Sequence, residues 1–219
     1  FTINNNTTLL MVNSAESPYG NFSDYVSMNP YESPYEADGS LRKSLTGNIN
    51  NPLYEAQAGN FNKGENFSVL NTTSLQVWIL KDLRLNGDFS FTKELNSSNI
   101  FTSPLSFTQL TKSDISQRGQ LIENHSKLTR YSGKLMLSYN RNFLEKLYTS
   151  ATGGTTIETY NGDNTSYTSL GYYSPSLSHP AFAAQYPTDK PSGSDNIYHN
   201  VGFFVNLNTM WDNKYFLDL

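Results

Sequence analysis

The feature that most narrows what this chain can become is a two-residue rhythm of apolar side chains, repeated in runs of about ten residues. Leu83, Leu85, Phe89 and Phe91 fall on one side of an extended chain together with Gly87, and Arg84, Asn86, Asp88, Ser90 and Thr92 fall on the other. Just upstream, Leu75, Val77 and Ile79 alternate with Gln76 and Trp78, and only Leu80-Lys81-Asp82 lies between the two runs. That spacing predicts a tight hairpin. A second hairpin is predicted where Tyr131, Gly133, Leu135, Leu137 and Tyr139 oppose Ser132, Lys134, Ser138 and Asn140, Met136 being the exception. Its turn falls near residues 142–145, and its return strand covers about 146–160, where Gly153-Gly154 suggests a bulge or a close backbone approach. The third hairpin sets Val201, Phe203, Val205 and Leu207 against Tyr215, Leu217 and Leu219, turning through residues 211–214.

The links differ in length. Within each hairpin they are short; outside the hairpins the stretches at about 16–72, 93–130 and 161–200 read as long, irregular and loop-rich. Short turns at one end and long loops at the other are the plan of an outer-membrane barrel. In a soluble domain, structureless links of that length would count against the strands themselves. One-sided alternation alone also fits a soluble all-β sandwich such as a carbohydrate-binding module. The two part on one point: a lipid-facing band must stay free of charge for roughly 25 Å. The stretches 83–91 and 131–139 meet that condition.

Composition removes other classes. The 15 Lys+Arg and 19 Asp+Glu give a formal charge of −4, and no basic run offers a track for nucleic-acid phosphates. The absence of cysteine removes disulfides and thiolate metal sites. No apolar run reaches the ~18 residues of a membrane helix, which leaves barrel strands untouched. Tyr (15) and Phe (13) are too abundant for a disordered chain. Phe1 is not a start methionine, and Lys214–Leu219 reads as a strand without a closing turn, so a piece of a longer chain is expected.

Several phrases resemble one family. Ser17-Pro-Tyr-Gly-Asn-Phe-Ser-Asp-Tyr25, then Met28-Asn-Pro-Tyr-Glu-Ser-Pro-Tyr-Glu-Ala-Asp-Gly39 and Asn51-Pro-Leu-Tyr54, are similar in order and spacing to SusC/RagA-type TonB-dependent outer-membrane transporters. Leu80-Lys-Asp-Leu83, Tyr139-Asn-Arg-Asn-Phe143 with Glu145-Lys146, and the paired runs 200–208 and 214–219 resemble that family's barrel hairpins. The resemblance covers about residues 17–219. Nothing matches the family's plug domain or TonB box, and the closing C-terminal strands are missing; Trp211-Asp-Asn213 is looser than the family's Tyr-rich turn.

The resemblance implies an all-β, antiparallel segment spanning residues 1–219 of a plugged transmembrane barrel of about 22 strands, contributing six or seven of them. It implies outer-membrane import of an oligosaccharide or peptide, with a SusD-like surface lipoprotein and, through the plug, the TonB complex as partners. Outer-membrane lipid would surround the wall. Neither nucleic-acid binding nor an enzymatic role nor a cofactor is expected.

Within that frame Arg84, Asp88, Lys134 and Asn206 are expected to face the lumen. Trp78 and Trp211, each beside a short turn, are assigned to an aromatic girdle at the membrane interface. Tyr172, Tyr173 and Tyr186, on the Pro-rich third link, are candidates for stacking on substrate, loop packing being the plain alternative. His125, His179 and His199 are too scattered for a metal site, and Asp38 and Asp163 sit in turn contexts that suit Asx-turns or a loop Ca²⁺. Glu94, Glu123 and Glu158 are the only carboxylates worth weighing as a hydrolytic pair.

Overall fold

In the computed structural model, residues 1–19, 25–143, 146–187 and 190–219 are described. The strands are β1 (Thr2–Ala15), β2 (Ser44–Leu45), β3 (Ile49–Asn50), β4 (Phe61–Leu80), β5 (Leu83–Thr102), β6 (Gln120–Phe143), β7 (Leu147–Leu170), β8 (Ser192–Trp211) and β9 (Tyr215–Asp218). The chain is all-β: seven of them form one antiparallel sheet in the order β1-β4-β5-β6-β7-β8-β9, and β2 and β3 make a small ribbon inside the first long loop. The far edge of β1 and the upper edge of β8, above its contact with β9, carry no partner strand among the described residues.

The three hairpins turn where the alternation breaks. β4 and β5 join through Lys81-Asp82, with an irregularity between Trp78 and Leu80 that leaves Ile79 unpaired in the register. At the third turn Asp212 and Asn213 both have positive φ (49° and 54°), and Lys214 N–H donates to Trp211 C=O at 2.9 Å. Two consecutive positive φ values are what a tight hairpin needs, and Asp and Asn tolerate them best after glycine. At the second turn Leu144 and Glu145 lie outside the described residues; β6 ends at Phe143 and β7 begins at Leu147.

The loop boundaries read from sequence need correction. Residues 61–72, 93–102, 120–130, 161–170 and 192–200 are strand, so the links shrink to 16–60, 103–119 and 171–191. β4, β5 and β8 run for 20 residues and β6 and β7 for 24. The reason is physical. Alternation reports a difference between the two faces of a strand, whereas the ladder itself needs only backbone N–H and C=O groups. In the upper halves Asn, Ser and Thr stand on both faces, as in Asn96-Ser-Ser-Asn99 and Asn164-Thr-Ser166. β1 shows no alternation either, because Asn4-Asn-Asn-Thr-Thr8 is polar on both faces and Leu9-Leu-Met-Val12 apolar on both. Gly153-Gly154 makes no bulge, because the registers to β6 and β8 run through it unbroken. The close approach is real: a Cβ on Gly154 would lie 2.5 Å from the Leu135 carbonyl oxygen and 2.6 Å from the Phe204 ring.

Burial is sparse. Among the described residues, the buried apolar side chains other than proline are Leu45, Ala58, Phe101, Leu121 and Tyr172. Phe101, Leu121 and Tyr172 form one cluster with Phe61 and Ala183 packed around it, at the loop end of the sheet. The Phe61 and Phe101 rings stack at 5.3 Å, and Tyr172 meets Phe101 edge-on at 5.2 Å. The cluster fastens the loops to the strand tops. It is not a core beneath the sheet.

Candidate functional site: the two faces of the sheet

Registry brings the predicted apolar positions of separate strands into one band. Leu85 stands between Val77 and Leu137, Phe89 between Thr73 and Gly133, and Phe91 between Asn71 and Tyr131. Onward, Leu135 meets Thr155, Gly133 meets Ile157, and these meet Phe203 and Val201. Among the described residues nothing covers the band: Phe89, Tyr131, Leu135, Leu137, Ile157, Val201, Phe203 and Val205 are all exposed, Phe203 and Val205 to 83%. A large apolar side chain left in water forgoes about 1.5–3 kcal/mol of burial. A soluble sandwich would recover this against a second sheet, and no such sheet faces the band among the described residues. From Leu83 to Phe91 the band spans nine residues, close to the ~9–11 of a tilted membrane strand. Its upper border is aromatic, Phe91 and Tyr131 lying 5.1 Å apart.

The opposite face is polar and knitted together. Arg84, Asp88, Lys134 and Asn206 all lie on it. Lys134 Nζ sits 5.5 Å from the Phe204 ring centroid, and Asn206 donates to Asp218 at 3.2 Å. Phe204 occupies the space that Gly154 leaves open, so a small residue on one strand seats a large one on the next.

Trp78 belongs to this polar face. It pairs with Arg84, whose guanidinium lies 5.4 Å from its ring. Its girdle assignment is therefore corrected: nearness to a turn does not override side-chain parity. Trp211 shares parity with Leu207 and the apolar band, at the turn end of the sheet.

The loop layer divides the three candidate tyrosines. Tyr172 is fully buried, its hydroxyl 2.6 Å from Ser169 Oγ, so it anchors the loop and has no surface to offer a ligand. Burial pushes its phenol pKa up. Tyr173 and Tyr186 are 68% and 58% exposed. Tyr186 hydroxyl donates to Pro180 C=O at 3.3 Å, and Tyr173 stands free of the cluster. Sequence alone cannot separate Tyr172 from Tyr173: adjacent residues of one type differ only in which way the loop turns.

The first loop is held by polar bonds. Asn51 is fully buried; it accepts from Leu53 N–H at 3.1 Å, capping the short helix Pro52–Gln57, and donates to Pro34 and Arg42 carbonyls at 2.9 and 2.7 Å. Glu32 accepts from Thr46 N–H (2.9 Å), Thr46 hydroxyl (3.0 Å) and Arg42 (2.7 Å). The Thr46 backbone bond foremost holds its carboxyl below the ordinary range. The Asn-Pro-Tyr, Asp-Gly and Asn-Pro-Leu-Tyr phrases therefore encode a folded loop. Asp38 makes the expected Asx-turn, accepting from Ser40 hydroxyl and N–H at 2.7 and 2.9 Å, with Gly39 at φ 84°. The Ser40 hydroxyl chiefly lowers its pKa. Asp163, expected in a turn, lies in β7 opposite Lys127 and Asp195.

His125 stacks on Tyr167 at 6.1 Å, His179 caps the turn at residues 180–182, and His199 contacts Thr159 at 3.1 Å. They are not brought together, and among the described residues no three His, Asp or Glu side chains converge as metal ligands would. Glu94 and Glu158 lie on the polar face and Glu123 on the other.

Neither a protein-family match nor a curated relative is found for the sequence. Solved structures do share the fold. The chain is similar to the RagAB peptide importer in its "open-open" state (20% identity, TM-score 0.71), to a structure of the RagAB peptide transporter (17%, 0.69), and to the importer's "closed-closed" state (19%, 0.67). Each likeness covers 99% of this chain and 24–25% of the other. The chain thus spans about a quarter of those chains, and at such identity the shared property is the fold: a long-stranded, antiparallel sheet of the kind found in these importers.

Proposed function

We propose that this chain is a stretch of the wall of an outer-membrane β-barrel importer of the SusC/RagA type, carrying an oligosaccharide or peptide. One observation carries the reading: a single continuous sheet leaves a nine-residue apolar band uncovered on one face and sets a charged, hydrogen-bonded face behind it. Hydrocarbon on the first side and water or protein on the second satisfies both. The open edges of β1 and β8 call for further strands, since unpaired edges are not tolerated in lipid. Those strands would close a barrel of about 22, filled by a plug. The short turns face the periplasm and the loops face out. There a SusD-like lipoprotein covers the mouth, and TonB acts through the plug. Fold likeness to the RagAB importer supports this reading, and the uncovered band weighs against the soluble binding module.

The test is topological. Once any cysteine elsewhere in the full-length protein is replaced, a single cysteine introduced into this cysteine-free stretch can be followed cleanly. Tyr173→Cys should react with an impermeant thiol reagent on intact cells, and Asp82→Cys only after the outer membrane is opened. Equal labelling of both, or recovery of the protein in the soluble fraction, would refute the assignment.

A further inference from the structure

On the polar face, four side chains from three strands form a cluster of which the sequence suggested only the carboxylate. Arg130, Tyr160 and Tyr198 stand in one register row across β6, β7 and β8, and Glu158 sits one row nearer the short turns. Arg130 Nε lies 3.3 Å from Glu158 Oε1, and Tyr198 hydroxyl donates to the same oxygen at 3.3 Å. The guanidinium stands 5.7 Å from the Tyr160 ring centroid, and Tyr160 stacks on Tyr198 at 5.0 Å with an interplanar angle of 10°. Gly162, two residues along β7, makes room for Tyr160: a Cβ there would lie 2.9 Å from its ring and hydroxyl.

The arrangement leaves one functional edge open. Nε is ion-paired with Glu158 and the guanidinium lies beside the Tyr160 ring, yet among the described residues the two terminal nitrogens of Arg130 have no hydrogen-bond partner, and its side chain is 46% exposed. A guanidinium ion-paired on one side with its outer fork free can meet a planar, bidentate acceptor. The Arg130–Glu158 pair is nearly neutral as a whole, so its field attracts anions in general only weakly; the fork's geometry does the selecting. Arg130 directly precedes Tyr131 at the top of the apolar band, which sets the cluster at the inner wall just above membrane level.

Resting on the importer reading, we infer that Arg130, held by Glu158 and Tyr160, is a specificity-determining contact for a carboxylate on the transported chain. The carboxylate belongs either to a uronic acid sugar or to an acidic peptide. The full-length transporter, purified with its lipoprotein partner, is titrated with oligogalacturonate and with an aspartate-containing peptide. Each is compared with its neutral counterpart, the methyl ester or the amide. Wild type should bind one carboxylate ligand at least about tenfold more tightly than its neutral counterpart. Arg130→Lys keeps the charge but removes the fork, and should erase most of that preference. Tyr198→Phe, which removes one bond to Glu158, should weaken the preference partially. Which of the two probes binds identifies the source. Outer-membrane abundance and heat-modifiable migration check that the variants fold. An unchanged preference in Arg130→Lys, or neutral ligands binding as well as charged ones, overturns this inference alone. Failure to bind or import any of the four probes would overturn it together with the import reading.

Discussion

The lower and upper halves of the same strands teach different lessons. Below about Phe91 on β5, side chains on opposite faces differ sharply: Leu85 and Phe89 on one, Arg84 and Asp88 on the other. Above it the faces converge, with Asn, Ser and Thr on both. The backbone ladder is continuous through both halves. Hydrogen bonding is thus uniform along each strand while the side chains change partway, and under the importer reading that change marks the border of the lipid.

The sharpest way to break this contrast is to put a charge on the aliphatic face. Leu85→Arg should cost about 2–4 kcal/mol in the full-length protein unfolded from lipid vesicles, if the position lies near mid-membrane. Ser98→Arg, placed higher on the same strand, should stay within about 0.5 kcal/mol. Similar costs at both sites would mean that the two halves see the same solvent.

The next effect tests packing across the polar face. Gly154→Val forces a side chain onto the Leu135 carbonyl and the Phe204 ring and should cost about 3 kcal/mol. Adding Phe204→Ala should recover part of it. Gly133→Ala, with nothing within 4 Å of its Cβ position, serves as the mild control.

Asn51→Ala moves the test into the loops. Removing a buried amide that satisfies three backbone groups should open the first loop locally by about 2 kcal/mol. Hydrogen exchange should rise across residues 28–58 and stay unchanged in β5 to β7; a sheet-wide response would show that loop and strands melt together.

The smallest effect is a pH dependence. Glu32 has a lowered pKa in the folded loop, so its contribution is present above the unfolded value of 4.5 and is lost as pH falls through the lower folded value. Limited proteolysis of residues 28–58 should be flat from pH 8 to about 5 and increase below about 4.5. Glu32→Gln should reduce the dependence, leaving the part carried by Asp38.

How much was legible follows from the same contrast. The hairpins at 80–83 and 211–214 and the facing of Leu83 to Phe91 could be read directly, since alternation and turn residues are local signals. The strand tops could not, because a strand polar on both faces looks like a loop. Trp78 was misplaced because its neighbourhood, a turn, was given more weight than its parity. Tyr172 and Tyr173 could not be told apart. The Arg130–Glu158–Tyr160–Tyr198 cluster was invisible as a set, since its members lie 28 to 68 positions apart except for one pair on β7.

The sequence by itself determined that one face of these strands is greasy and the other wet, and where the tight turns fall. Both are properties of residues within a few positions of one another. Tertiary structure decided how far each strand extends, which small residue seats which large one, and which tyrosine is buried. It also decided which charged groups meet. These depend on register between strands, and register is set by the summed preference of whole rows of cross-strand pairs.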